Sequence, residues 1–124
     1  MGKNPAIMGL NNLHESLEDI IAEQGDPPWS HRLVDSDHIM SMLICQAPGT
    51  ENDRHYHLQD EWWIILQGEI DWEMENSDQV LEAKAGDIIF APKNHFHLIK
   101  PKGSEKTVRL AISHPQEWHR HDRE

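Results

Sequence analysis

Histidine and glutamate form the pattern in this sequence that is best suited to chemistry. The chain has ten histidines in 124 residues, and one residue separates His55 from His57. Residues two apart in an extended strand point to the same face, and Glu61 keeps that parity if the pairing continues through the bend. His97 follows Pro92 on a separate predicted strand and could supply a fourth ligand. Imidazoles with a carboxylate suit one divalent transition metal ion per chain: Fe, Mn, Ni, Co or Zn.

Three nearby side chains are candidates for contact with a substrate. Gln59 and Trp63 share the inward parity of the candidate ligands. His95 has the parity of His97, so it is the alternative ligand or a substrate contact. Glu61 has two possible roles, because a carboxylate can bind a metal ion or act as a general base in catalysis.

A helix and several strands must position these residues. Asn12 is a good N-cap, and Glu15 follows three residues later, as in a capping box. Leucines and isoleucines then recur at helical spacing, and Gly25 can end the helix. The sequence therefore predicts a short amphipathic helix over about residues 13–24.

Short apolar segments separated by turn residues follow from about residue 30. They lie at 39–45, 61–66, 70–75, 80–83, 88–92 and 108–112. Many short strands with such turns favour an all-β sandwich or barrel. Trp62 and Ile64 have outward parity, opposite to Trp63 and Ile65. An outward apolar pair needs cover, which a second copy in a homodimer could provide.

The spacing of these residues resembles the two-part signature of the cupin superfamily. The first part, over 49–68, is G-x5-HxH-x3-E-x6-G, and the second, over 86–97, is G-x5-P-x4-H. The second part departs at Asn94, where the family usually has glycine, and at Pro101, where it usually has asparagine. Asparagine tolerates the left-handed backbone conformation, so we expect the turn to survive. Pro101 affects only the local strand edge.

The resemblance covers about residues 35–113 and implies both a fold and a site. The implied fold is a small antiparallel double-stranded β-helix, or jelly-roll barrel, of six to eight strands, commonly as a homodimer. We expect an N-terminal helix and lead-in over 1–30, the barrel over 31–113 and a polar tail over 114–124. His119 and His121 repeat the HxH spacing in that tail, where we expect solvated side chains. The family's metal ligands fall on His55, His57, Glu61 and His97.

Charge and composition argue against several partners and locations. The net charge of −11 repels nucleic acids and anionic membrane surfaces. The longest apolar run, over 62–66, is too short to span a membrane, and the N-terminus lacks the pattern of a signal peptide. Cys45 is the one cysteine, so it forms no disulfide within the chain. We expect a cytoplasmic protein with a small-molecule substrate or ligand, and with no nucleic-acid or membrane partner.

Several functions are compatible with this pattern. A mononuclear metal-dependent dioxygenase acting on a small organic molecule is favoured, because such an ion keeps positions open for substrate and O₂. A metal-dependent lyase or isomerase needs a base; Tyr56 has outward parity, which leaves Glu61 or His95. A non-catalytic module that binds metal or a small molecule is the other alternative. A metal-free sugar-nucleotide epimerase fits poorly, because such an enzyme needs basic residues to bind the diphosphate. Few lysines or arginines lie near the histidines in the sequence, and Arg54 is the nearest.

Overall fold

The computed structural model describes residues 11–50 and 54–115. Within these residues the chain forms one helix and eight strands. In chain order they are α1 (Leu17–Gln24), β1 (Trp29–Asp35), β2 (Met40–Gln46), β3 (Glu61–Gln67), β4 (Glu69–Met74), β5 (Leu81–Lys84), β6 (Ile88–Ala91), β7 (His97–Lys102) and β8 (Thr107–Ser113). No helix in this part of the chain is long and apolar enough to cross a membrane.

The strands form two antiparallel sheets. The larger sheet has the order β1-β2-β8-β3-β6, and the smaller one has the order β5-β4-β7. Among the described strands, the backbone hydrogen bonds keep these sheets separate rather than closing them into one barrel. The prediction of an all-β fold of the double-stranded β-helix type with a short N-terminal helix is confirmed.

The main core lies between the two sheets. Alternation along β3 turns Trp63 and Ile65 inward, and alternation along β4 turns Ile70 and Trp72 inward. The rings of the two tryptophans meet edge to face, with centroids 5.9 Å apart. The predicted parity of β3 is therefore confirmed: Trp63 is buried, whereas Trp62 is 38% exposed.

Helix α1 covers part of the outer face of the larger sheet. Its buried residue Ile20 packs with Leu43, Cys45 and Val108 in a second apolar cluster. Cys45 is thus a buried small side chain, as expected, and burial raises the pKa of its thiol. The outer face at β3 and β6 carries exposed apolar side chains instead, including Ile88 and Phe90.

The start of the helix was predicted wrongly. The N-cap is Ser16, whose hydroxyl accepts a hydrogen bond from the backbone N–H of Asp19. Asn12 instead donates a side-chain hydrogen bond to Glu15, so the two residues of the supposed capping box bind each other outside the helix. The predicted end is confirmed, because the N–H of Gly25 bonds to the carbonyl of Ile21.

Candidate metal centre

Backbone pairing holds two of the candidate ligands opposite each other. The N–H of His55 donates to the carbonyl of His97 at 3.1 Å, and the N–H of His97 donates back at 2.8 Å. This is an isolated bridge between the HxH segment and the first residue of β7. Opposed residues on paired backbones project to the same side, so both imidazoles enter the interior together.

His57 joins this pair from an extended segment rather than from a strand. Parity assumes an extended strand through His55 and His57, whereas the structure has isolated bridges at His55 and Tyr56, of which the first pairs His55 with His97. The carbonyl of His57 accepts a hydrogen bond from the N–H of Asn94 at 2.7 Å. Asn94 has a φ of 64°, which confirms that asparagine adopts the left-handed conformation at this turn. A loop contact thus fixes the third histidine.

The three imidazoles form a compact buried group. His55, His57 and His97 are each buried, and one ligand nitrogen from each lies within 4.8 Å of the others. The Nε2 atoms of His55 and His97 are 3.1 Å apart. Ring centroids are 5.0 Å apart for His55 and His57, and 5.6 Å apart for His57 and His97. Three clustered imidazoles are a donor set that suits a divalent transition metal ion.

Glu61 and Trp63 lie against this group. One carboxylate oxygen of Glu61, Oε1, is 3.8 Å from Nε2 of His57. The same oxygen accepts a hydrogen bond of 2.7 Å from the indole N–H of Trp63, and the Trp63 ring lies 5.4 Å from the ring of His97. The indole therefore orients the carboxylate beside the histidines. The role of Glu61 as a fourth metal ligand stays a prediction.

The other candidate residues lie in different surroundings. Gln59 is exposed and His95 is half-buried, with Nδ1 2.8 Å from the carbonyl of Lys93. Tyr56, which lies between the two histidines in the sequence, is buried and packs on Phe96, with ring centroids 4.8 Å apart. Arg54 is exposed and lies over the other aromatic of that pair, with Cζ 4.4 Å from the Phe96 ring. His119 and His121 lie outside the described residues.

Sequence reasoning missed one charged residue near the site. Arg109 on β8 is only 3% exposed, and its Cζ lies 5.7 Å from the centre of the Trp63 ring. Burial lowers the pKa of Arg109 to about 10, and attraction to Glu61 offsets part of that effect. The alternation of apolar residues over 108–112 favours the even-numbered face as the buried one. It gave no sign that the odd-numbered face is buried as well.

The fold recurs in solved structures of low sequence identity. The polyketide cyclase RemF from Streptomyces resistomycificus is 16% identical, with a TM-score of 0.68, over 77% of this chain and 70% of its own. The DMSP lyase DddQ from Ruegeria pomeroyi is 21% identical, with a TM-score of 0.63, over 71% of this chain and 47% of its own. A cupin superfamily protein from Desulfitobacterium hafniense is 22% identical, with a TM-score of 0.68, over 93% and 97%. These likenesses concern the fold alone.

Sequence similarity identifies the family. No protein of curated function matches the chain. The sequence profile of the cupin domain matches residues 42–114, which is more than half of the chain. The matched segment contains the buried histidine group and Glu61, and the two-sheet fold agrees with it. The chain belongs to the cupin family.

Proposed function

We propose that this chain is a mononuclear metal-dependent enzyme that acts on a small organic molecule, and that its reaction is a dioxygenation. The buried group of His55, His57 and His97 carries this proposal. Neutral imidazoles bind Fe, Co, Ni and Zn well, and three of them leave coordination positions open for other groups. Mn is a weaker fit without the carboxylate of Glu61.

The chain's own residues have separate tasks in this proposal. The three histidines would hold the ion, with Glu61 as a further ligand or as the base that takes a proton from the substrate. The indole N–H of Trp63 holds the Glu61 carboxylate in place. The burial of these groups excludes bulk water. A bound redox-active ion would supply the electron transfer that chemistry with O₂ requires.

The position of Tyr56 supports dioxygenation over one form of lyase chemistry. Tyr56 is the single tyrosine of the chain; strand parity directs it opposite to His55 and His57, and its ring packs on Phe96. A lyase that uses tyrosine as its base would need that hydroxyl beside the metal. In a lyase reaction at this site, Glu61 or His95 could serve as the base instead.

A redox-neutral reaction at the same metal is the second candidate. It is supported by the names of two structures that share the fold, a polyketide cyclase and a DMSP lyase. A non-catalytic binding module is the third possibility, because the same three histidines would also anchor a ligand through a metal ion. These candidates differ in whether O₂ is consumed and whether any product forms.

One experiment separates the three candidates. Metal content is first measured on protein purified without added metal, and the metal-free chain is then loaded with Fe(II) or Zn(II). We expect O₂ uptake with a panel of catechols and thiols for the iron form, and none for the zinc form or for His57→Ala. Product without O₂ uptake would favour the lyase or cyclase. Ligand binding without product would favour the binding module, and a chain that holds no metal would refute the proposal.

A further inference from the structure

Arg109 places a positive charge in the interior between the sheets. Its guanidinium donates through Nη1 to the side-chain carbonyl of Gln46, and it lies over the ring of Trp63. Within the described residues, Nε of Arg109 has no hydrogen-bond partner although it is buried. A buried charge is costly unless it is paired and its donors are satisfied. One neutral amide does not meet that need for a guanidinium with five N–H donors.

The carboxylate of Glu61 attracts Arg109 but does not satisfy its free N–H donor. Attraction to Glu61 counters only part of the effect of burial on Arg109. The Oε1 atom of Glu61 already accepts the indole hydrogen of Trp63 and lies next to His57. Glu61 is therefore engaged at the histidine group, and the guanidinium retains the capacity to bind another anion.

We propose that Arg109 binds a carboxylate of the substrate, so that the site takes small organic acids. This rests on the proposed function for the site itself. The planar guanidinium matches a carboxylate through two parallel hydrogen bonds. The candidate ligand His97 and Arg109 both contact the ring of Trp63. A group bound at Arg109 would thus lie in the interior that the histidines also face.

Counting charges supports an anionic substrate. Three neutral imidazoles, the Glu61 carboxylate and a divalent ion together leave a positive centre, and Arg109 adds another positive charge. Like charges in a poorly solvated interior repel each other strongly. A substrate carboxylate would compensate this excess, whereas a neutral substrate would leave it in place.

The test compares two probes of similar shape and different charge. Binding of benzoate and of benzamide to the zinc-loaded protein is measured by titration calorimetry. A hydrogen-bonded charge pair contributes about 1.5–3 kcal/mol, which corresponds to a preference for benzoate of about tenfold or more. We expect this preference in the native chain and expect it to fall to about twofold or less in Arg109→Gln. Arg109→Met is the second variant, and circular dichroism checks that each variant is folded.

A matched control removes a guanidinium elsewhere. Arg32 is exposed and pairs with Asp35 at 3.2 Å, so Arg32→Gln should keep the native preference for benzoate. If Arg109→Gln also keeps it, the metal alone holds the anion and the inference is wrong. Equal binding of both probes by the native chain would overturn it as well.

Two further measurements separate this inference from the proposed function. Metal content should be unchanged in Arg109→Gln, since Arg109 is not a proposed ligand. If the native chain holds no metal, the proposed enzyme activity fails, yet the benzoate preference of the metal-free chain still decides the role of Arg109. If neither variant folds, the inference is tested on the native chain by NMR. The Nε–H resonance of Arg109 is assigned through its contact with Trp63 and followed during titration with each probe. It should shift with benzoate and not with benzamide, and the absence of that difference would overturn the inference.

Discussion

At the scale of single residues, the site depends on imidazoles that the backbone holds close together. His55 and His97 are locked by two reciprocal backbone hydrogen bonds, and His57 is held by the N–H of Asn94. These supports are backbone hydrogen bonds, so loss of one side chain should leave the other two in place. The consequence is that a single substitution can remove metal affinity without dismantling the site.

We accordingly expect His57→Ala to remove most of the bound metal. Changes to residues that merely support metal ligands cost about 10–100-fold in affinity, and the loss of a ligand costs at least as much. The metal-loaded variant should also melt at a lower temperature, because binding to the folded state contributes stability. Elemental analysis and a thermal melt measure both effects. His38→Ala is the control, since His38 is exposed, and a His57→Ala protein with one metal per chain would show that the ligand assignment is wrong.

The candidate residues could be predicted to different extents. Parity made His55 and His57 candidate ligands, because residues at intervals of two share a face, and the resemblance to the cupin signature favoured His97 over His95. The same reasoning could not find Arg109, whose burial arises because β8 lies between two sheet neighbours and is covered on both faces. Such two-sided burial depends on long-range packing and leaves no period in the sequence.

At the scale of elements, the tight turn between β3 and β4 has no room for a side chain at Gly68. Gly68 has a φ of 82°, and a Cβ added there would lie 2.7 Å from the carbonyl oxygen of Lys106 and 2.9 Å from Cα of Thr107. Both atoms belong to the backbone and cannot move aside as a side chain would. The glycine is thus required by its conformation and by close backbone approach.

We expect Gly68→Ala to destabilise the fold by about 3 kcal/mol or more, the sum of a left-handed conformation and overpacking. Gly86→Ala separates the two causes, because Gly86 has a φ of 96° but nothing within 4 Å of the added Cβ. That control should lose only about 1–2 kcal/mol. Urea denaturation of both variants measures the difference. Equal losses would show that the close contact at Gly68 has no energetic consequence.

The elements were predictable where the pattern is local. Aromatic and β-branched residues over 61–66 and alternation over 70–75 identified β3 and β4 nearly to the residue. The helix start was misjudged because Asn12 and Ser16 are both good N-caps; the structure uses Ser16 as the cap, and Asn12 binds Glu15 instead. Pro101 is tolerated inside β7 because β7 is the edge strand of its sheet and needs no N–H there.

At the scale of the whole molecule, the two sheets have different outer faces. The smaller sheet carries ion pairs, such as Lys100 with Glu73 at 2.7 Å. The outer face of the larger sheet is apolar at β3 and β6. There Ile88 is 68% exposed and Phe90 is 56% exposed, and Phe90 lies opposite Trp62. Helix α1 covers the other part of this face. We propose that a second copy of the chain covers the remainder, as in a homodimer.

The dimer should be broken by a charge in this patch. Trp62→Glu would bury a carboxylate in an apolar interface, which is unfavourable without a partner. We expect the native chain to scatter light as a dimer and the variant as a monomer. Val80→Glu is the matched control, because Val80 is exposed on the segment before β5 rather than on β3 or β6. A monomeric native chain would contradict the proposal.

The acidic surface and the histidine group should respond differently to pH and salt. The net charge of −11 concentrates cations near the molecule, and this attraction is screened by added salt. Binding to imidazoles requires loss of their protons, and salt does not screen that competition. Free histidine side chains take up protons around pH 6.5, and carboxylates do so below about pH 5.

Metal affinity measured against pH at low and high salt should therefore fall steeply from about pH 7 to 5, by more than one proton per ion. The fall should be nearly the same at both salt concentrations, with a lower affinity overall at high salt. A flat profile over this range would mean that histidines do not dominate the site, and a slope that disappears with salt would assign the metal to the acidic surface.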